Sequence, residues 1–484
     1  MTVPNMITSN VLREYVMVFI VNLSVVTSGM SFGWPSPMLL KLQDPSQSNL
    51  SRPITTDEGS WLASLGFLLS VFANVPSGYL IDWIGRKWTL LLMVLPKLCG
   101  CFLLIYGKEV WVLILARGLI LTCDSVVFIT VPVYSSELAR KEYRGTLGTF
   151  LQIFCSLGIV ISFAVGPFVS YMTFNIILTC MIAGTGLPLL FVVESPYYLY
   201  SKGKIAHATK NLIYLRDSKV AAELEIEEYK NTKNSPKISR TSLLRSKLYL
   251  KSFALAALVS VGSQIIGYNA VSYYTQTILE SSNTNVRSEY GSVIIGVIQL
   301  VASFCTAAIT DRFGRRPVII ASLLTVLLGM IGLGVFFLYS EDPEYEITGL
   351  LNYLPTASLM IITFGFGAGI GSLTWLLSAE LFDGPARAFG VSSVLTLTMF
   401  VIFIWTRYFP LMTLSLGATN TYWIFSANCV IILTLIYLFV PETKGKSFGE
   451  IQKIVKERTF NFGRVISEKE YEKEEKPDLG NGRV

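Results

Sequence analysis

Apolar runs of about twenty residues recur from one end of this 484-residue chain to the other, and that length is what a helix needs to cross a bilayer. A run at hydrocarbon depth must satisfy every backbone N–H and C=O internally, which leaves helices or closed barrels; runs this long and unbroken select helices. The composition agrees: 52% of residues are hydrophobic, 15% are charged and the mean hydropathy is +0.54, which excludes an ordinary soluble domain. Twelve spans are predicted, at 15–35, 60–80, 88–107, 110–134, 146–170, 173–193, 250–279, 290–310, 317–339, 354–379, 388–412 and 420–440. The chain therefore reads as an all-α membrane protein, twelve transmembrane helices in two six-helix halves. The halves cover 1–194 and 249–441, joined by a polar helical linker at 195–248 and followed by a partly disordered tail at 442–484.

Charge placement orients the chain. Arg86-Lys87, Arg140-Lys141 with Arg144, the linker, Arg312, Arg315, Arg316, Arg387 and the tail fall on one side of the predicted bilayer. Only Lys41, Arg52, Lys108, Arg287 and Arg407 fall on the other. Positive residues stay inside, so both termini and the linker are expected in the cytoplasm of a cell-membrane protein. Asn49-Leu50-Ser51 is a glycosylation sequon in the longest predicted outer loop, which agrees with that orientation. The seven cysteines lie inside apolar runs, so no disulfide is expected, and His207 reads as a solvated residue of the linker. No nucleotide-binding loop, metal cluster or catalytic motif stands out; no cofactor, metal or nucleic-acid partner is expected, and the chain reads as a monomer without enzyme activity.

The two halves repeat each other. Asp82-Trp83-Ile84-Gly85-Arg86-Lys87 follows the second span, and Asp311-Arg312-Phe313-Gly314-Arg315-Arg316 follows the eighth. Glu137 and Arg144 flank the loop after the fourth span; Glu380 and Arg387 flank the loop after the tenth. Glu194-Ser195-Pro196 closes the sixth, and Pro441-Glu442-Thr443 the twelfth. Such a parallel repeat is the pattern of a transporter with its substrate between two halves. The Gly permits a tight reversal and the flanking charges can pair. All eight are expected gating residues: Asp82, Arg86, Asp311 and Arg315 pair with neighbouring helix ends, and Glu137, Arg144, Glu380 and Arg387 form a latch between the halves that closes in one state and breaks in the other; the alternative is that the basic residues only hold loops inside.

Residues Ser263 to Tyr274 put polar groups into an apolar run: Gln264, Asn269, Ser272 and three tyrosines. A buried amide costs a few kcal/mol unless partnered, so these amides either staple helices or face a wet cavity. Gln264 and Asn269 lie about 140° apart on an ideal helix and can share one ligand only if the helix is distorted near Gly267.

The turn motifs, Glu137 with Arg144-Gly145, Glu194-Ser195-Pro196, Gln264-x-x-Gly267-x-Asn269-x-x-x-Tyr273-Tyr274 and Pro441-Glu442-Thr443-Lys444-Gly445 together resemble the sugar porters of the major facilitator superfamily, over about residues 15–455. Trp34-Pro35-Ser36-Pro37 and Tyr197-Tyr198-Leu199 look more like the arthropod facilitated trehalose transporters than vertebrate glucose transporters. The resemblance implies the major facilitator fold and a facilitative carrier for trehalose, glucose or a related hexose. It implies that Gln152, Gln264, Asn269, Gln299 and Trp375 face the sugar, and that Tyr273 and Tyr274 gate it from outside. The chemistry agrees, since an amide both donates and accepts, as each sugar hydroxyl does. Taken singly, Gln152 and Gln299 read equally well as bridges between helices.

Several departures stand out: Ser263-Gln264 replaces a glutamine pair, Ser372-Leu373-Thr374-Trp375 lacks the family's prolines, and Gly367 and Thr398-Met399 stand where glucose carriers place Glu and Asn-Trp. These suggest a roomier, less polar pocket. Proton-coupled relatives carry an Asp where Pro35 stands, which favours facilitated diffusion. Asp124, on one helix face with Arg117, is the remaining intramembrane carboxylate: protonated and silent, paired with Lys97, or coupling protons. A proton–sugar symporter and a non-transporting sugar sensor are the rival readings.

Overall fold

In the computed structural model of the chain, residues 9–457 are described except 49, 141–142, 144–146, 234–245, 283–286, 343–348, 383–385, 445 and 447. The sequon at Asn49, Arg144 and the end of the tail lie outside the described residues. Twelve helices are long and apolar enough to span a bilayer. They are Leu12–Gln43, Thr56–Ile84, Arg86–Tyr106, Val110–Leu138, Phe150–Phe168 and Tyr171–Leu189, then Lys247–Tyr273, Ser288–Thr310, Arg315–Ser340, Gly349–Ser378, Phe389–Leu416 and Ala418–Phe439, here spans 1 to 12. Among the described residues no strand occurs and all seven cysteines are free. Span 1 runs well past its expected end at Pro35 and reaches Gln43. Pro35 does not stop it, because a proline at the first turn of the following helix, Pro35–Gln43, has no N–H to lose there.

The two Asp-x-x-Gly-Arg turns adopt the conformation their glycines permit, with φ of 102° at Gly85 and 91° at Gly314. Each turn opens the next helix, and a glutamate from the end of the same half caps that opening. Glu194 accepts N–H bonds from Arg86 (3.0 Å) and Lys87 (3.2 Å); Glu442 accepts them from Arg315 and Arg316, both at 3.0 Å. A carboxylate at a helix N-terminus satisfies orphan donors and meets the positive end of the dipole. Burial pushes the Glu442 carboxyl up, yet the N–H groups of Lys444, Arg315, Arg316 and Thr443 outweigh it and hold the group below the usual carboxylate range.

The polar linker forms helices Pro196–Ser201, Ile205–Arg216 and Lys219–Lys233. It is fastened under the first half: the buried Glu14 pairs with Arg216 (2.9 Å) and with Arg140 (2.7 Å), while Leu212 and Leu215 are fully buried. The amphipathic helix Phe448–Glu457 docks on the second half through Ile451, Val455 and a Gln452 bond to the Leu381 carbonyl. The end of the bundle carrying the turns and the linker is called the basic end below.

Candidate functional site

Span 7 is not one straight helix. It breaks after Ile265, resumes as Tyr268–Tyr273 and continues as Thr275–Ser281. Gly267 makes the break, with a left-handed φ of 84°. A Cβ there would lie 2.6 Å from the ring of Phe425. The carbonyl of Ile265, freed by the break, accepts a bond from Asn428 of span 12 at 3.1 Å. Backbone groups released at this depth need such a partner. The distortion brings the two amides together: Asn269 Nδ2 donates to Gln264 Oε1, and Gln264 Nε2 donates to Ser263 Oγ at 2.8 Å.

The other amides join a polar chain that crosses between the halves. Gln152 of span 5 reaches Ser156 at 3.5 Å, Ser156 bonds Ser303 of span 8 at 2.6 Å, and Ser303 donates to the carbonyl of Gln299 at 2.9 Å. The Gln299 side-chain oxygen accepts from Tyr268 at 2.7 Å, which leads back to span 7. Gln152, Asn269 and Trp375 are partly exposed although they sit deep between the halves, while Gln264 and Gln299 are buried.

An aromatic series runs from span 7 through the first half to span 10. Tyr273 stacks on Phe67 (5.8 Å), Phe67 on Phe32 (6.4 Å), Phe32 meets Phe128 (5.4 Å) and Phe128 meets Trp375 (6.3 Å). Phe32, Phe67 and Phe128 come from spans 1, 2 and 4 and escape sequence reasoning, because a phenylalanine in an apolar run carries no sign of which way it faces. Span 10 breaks around Ala368 and Gly369. Ser322 of span 9 bridges that break, donating to the Gly365 carbonyl (2.7 Å) and accepting from the Ile370 N–H (2.9 Å).

The expected gate residues divide. Tyr273 reaches across to Phe67, but Tyr274 turns into its own half, packing on Phe409 at 5.4 Å. Of the residues expected to latch the halves, Arg144 and the Arg387 side chain lie outside what is described, and the described charges at the basic end pair within a half. Glu137 takes two bonds from Arg86, each 2.9 Å, and accepts another from Ser195; Asp82 adds a 3.2 Å contact to Arg86. Glu380 pairs with Arg315 (3.3 Å) and accepts from Thr443 (2.6 Å). Each cluster therefore ties spans of its own half. The turn at Gly85 or Gly314 aims the arginine at the neighbouring even-numbered span, a partner too far along the chain to read from local spacing. Nothing is described of the side chains of Asp311 and Arg387.

Asp124 adopts the second of its three readings. It is fully buried and pairs with Lys97 at 2.6 Å, with a further 2.6 Å bond from Ser28; Lys97 also reaches Thr27 at 3.0 Å. Arg117 does not join this pair: it bonds the Ser31 side chain (3.1 Å) and carbonyl (3.0 Å) and lies 4.6 Å over the Trp34 ring. Spans 1, 3 and 4 are thus cross-braced by charges that stay inside the first half.

The family model described as "Sugar (and other) transporter" matches residues 18–455. A facilitated trehalose transporter, Tret1, of Polypedilum vanderplanki is 27% identical over 459 residues, covering 93% of this chain and 89% of that protein. The Tret1 of Bombyx mori is 28% identical over 439 residues, covering 90% and 85%. Among solved structures, the xylose transporter XylE of E. coli in an inward-open conformation superposes with a TM-score of 0.74 at 18% identity, over 91% of this chain and 99% of that one. XylE bound to 6-bromo-6-deoxy-D-glucose gives 0.73 at 19% identity, with the same coverage. The fold is therefore that of the major facilitator superfamily.

Proposed function

This chain belongs to the sugar transporter family, and from that premise we propose that it carries a small neutral sugar, trehalose, glucose or a related hexose, by facilitated diffusion and alternating access. The observation that carries this reading is the kinked span 7, which sets the Gln264–Asn269 amide pair beside a polar chain running to Gln152 in the opposite half. Amides exchange their mutual bonds for sugar hydroxyls one for one, and the aromatic series from Tyr273 to Trp375 offers faces for the sugar's C–H surface. Transport needs weak binding. A millimolar site is worth about 4 kcal/mol, which several bonds at roughly 0.5–1.5 kcal/mol net each supply.

The names of the relatives support facilitation, and so does Asp124, whose pairing with Lys97 occupies the one intramembrane carboxylate considered for proton coupling. The basic residues at the linker end support an orientation with both termini in the cytoplasm, and we read the chain as a cell-membrane protein working as a single chain. Glu137, Arg86, Asp82, Glu380 and Arg315 then brace the spans of each half so that it moves as one body.

The test is uptake of labelled trehalose, glucose and fructose into proteoliposomes, with and without a proton gradient. At least one sugar should enter down its gradient at a rate unmoved by collapsing the pH difference. Gln264→Ala should raise KM about tenfold, the loss of one or two hydrogen bonds, with expression unchanged. Uptake that stops when the pH difference is collapsed would overturn facilitation, and an unchanged KM would remove Gln264 from the site.

A further inference from the structure

Opposite the basic end, an arginine crosses between the halves, alongside the Gln276 N–H bond to Ser36 Oγ at 3.1 Å and the Phe168–Tyr290 ring contact at 5.9 Å. Arg407 of span 11 donates through Nη1 to Ser60 Oγ at 2.6 Å and through Nη2 to Asp57, and its guanidinium lies 4.7 Å over the ring of Trp61. All three partners belong to span 2, in the other half, 350 positions away from Arg407 in the case of Asp57. Residues 57, 60 and 61 share one face of a helix, so a single turn of span 2 grips the planar fork on its edge and on its face. One turn deeper, Trp61 meets Phe403 of span 11 at 6.1 Å. Ser60 is itself held, donating to the Asp57 carbonyl at 2.7 Å, and Thr55 and Glu58 form a capping box that fixes the start of the helix. Arg407 is 9% exposed whereas the Asp57 side chain is 54% exposed.

We infer that Arg407 is a clasp that holds this end of the transporter shut and must release span 2 each time the end opens. The inference rests on the alternating-access reading above. It follows from the ownership of the contacts: the arginine comes from one half and its two hydrogen-bond partners and the Trp61 ring from the other, while the Tyr408 ring at 5.7 Å belongs to its own half, so the halves cannot part here while any of the three cross-half contacts persists. The clusters at the basic end are built the other way, each within a half. Among the described residues, the molecule is therefore fastened across its halves at the Arg407 end, and the charged clusters at the other end fasten spans within a half. Asp57 is reachable by water, so the bond to it can be exchanged for solvent as the halves separate.

The experiment uses Ser64→Cys, which puts a thiol one helical turn below the clasp on the same face of span 2, where Ser64 is fully buried. Intact cells carrying the full chain are exposed to a membrane-impermeant maleimide. Gln47→Cys, on an exposed loop at the same end, reports that this end faces the reagent. With the clasp intact, the thiol introduced at position 64 should label slowly. Adding Arg407→Gln should speed labelling at least tenfold, and Asp57→Asn, which leaves a small polar group at a half-exposed site and does not threaten folding, should speed it in the same direction. Exchanging the charges (Asp57→Arg with Arg407→Asp) should slow labelling again. Unchanged labelling of the Ser64→Cys thiol in both single variants overturns the clasp. Labelling needs no sugar, so the two readings fail separately. Faster labelling in a chain that moves no sugar keeps the clasp and removes the transport function; normal uptake with unchanged labelling does the reverse.

Discussion

Replacing Asp124 by Asn is expected to remove most folded protein, and uptake with it. The substitution keeps the shape and deletes the charge, leaving Lys97, 2% exposed, with neutral acceptors alone: Thr27, Ser28 and the new amide oxygen. Breaking a buried ion pair by removing one partner costs about 3–5 kcal/mol, because the survivor must stay charged without compensation or lose its proton. That is a large share of the stability of a typical domain. The remedy separates structure from chemistry. Asp124→Leu combined with Lys97→Met removes both charges at similar volume, and such apolar replacements are often neutral or stabilising. The double variant should unfold thermally within a few degrees of the parent and carry sugar at the parent's rate, while either single change lowers the midpoint sharply. A double variant that folds like the parent but carries nothing would return Asp124 to the transport step and revive proton coupling.

The division between what could and could not be read from the sequence follows the range of the interactions. The spans were legible because hydrocarbon length and backbone satisfaction act on consecutive residues. Span 1 was misjudged at Pro35 because a proline reads as a stop, yet at the first position of a helix it costs nothing. The repeated turns were legible as turns, since Gly85 and Gly314 must supply a positive φ. What Glu194 and Glu442 do for them was not, because the capped N–H groups lie more than a hundred residues away in sequence. Separations of 51 and 65 residues hid the partners of Glu137 and Glu380 in the same way. Seven-residue spacing points to Arg144 and Arg387, which lie outside the described side chains, while packing of spans within a half supplies Arg86 and Arg315.

The site was half legible for a related reason. An amide in an apolar run announces itself, since its burial has to be compensated, so Gln152, Gln264, Asn269 and Gln299 could be picked out one by one. Their linkage through Ser156 and Ser303 could not: serines are common in these spans, and most bond a carbonyl within their own helix. The aromatic wall was invisible because Phe32, Phe67 and Phe128 satisfy the apolar pattern whether they face lipid, core or cavity. Arg407 was counted only as a charge on the far side, although a guanidinium set well inside the end of span 11 already asked for a partner.

Gly267→Ala is the second large effect expected, and it tests whether the break in span 7 makes the site. Two costs add. A side chain at a φ of 84° is strained by roughly 1–3 kcal/mol. The new Cβ would also sit 2.6 Å from the Phe425 ring, which is fully buried and held by Trp405 at 5.3 Å and Phe409 at 6.1 Å, so it cannot swing aside. Overpacking of that kind adds about 1–3 kcal/mol. The cheaper escape for the chain is to rotate the break away, and that separates Gln264 from Asn269. The expected outcome is therefore a lower thermal midpoint and, in the protein that still folds, a KM at least as high as that of Gln264→Ala. Two further variants apportion the costs. Gly267→Asn suits the left-handed conformation but keeps the clash, and Gly267→Ala with Phe425→Ala relieves the clash but keeps the strain. Each should recover part of the midpoint, and only a variant that restores the break should recover the KM. If Gly267→Ala lowers the midpoint and leaves the KM at the parent's value, the amide pair does not depend on the break, and the site must be sought along the polar chain from Gln152 to Tyr268.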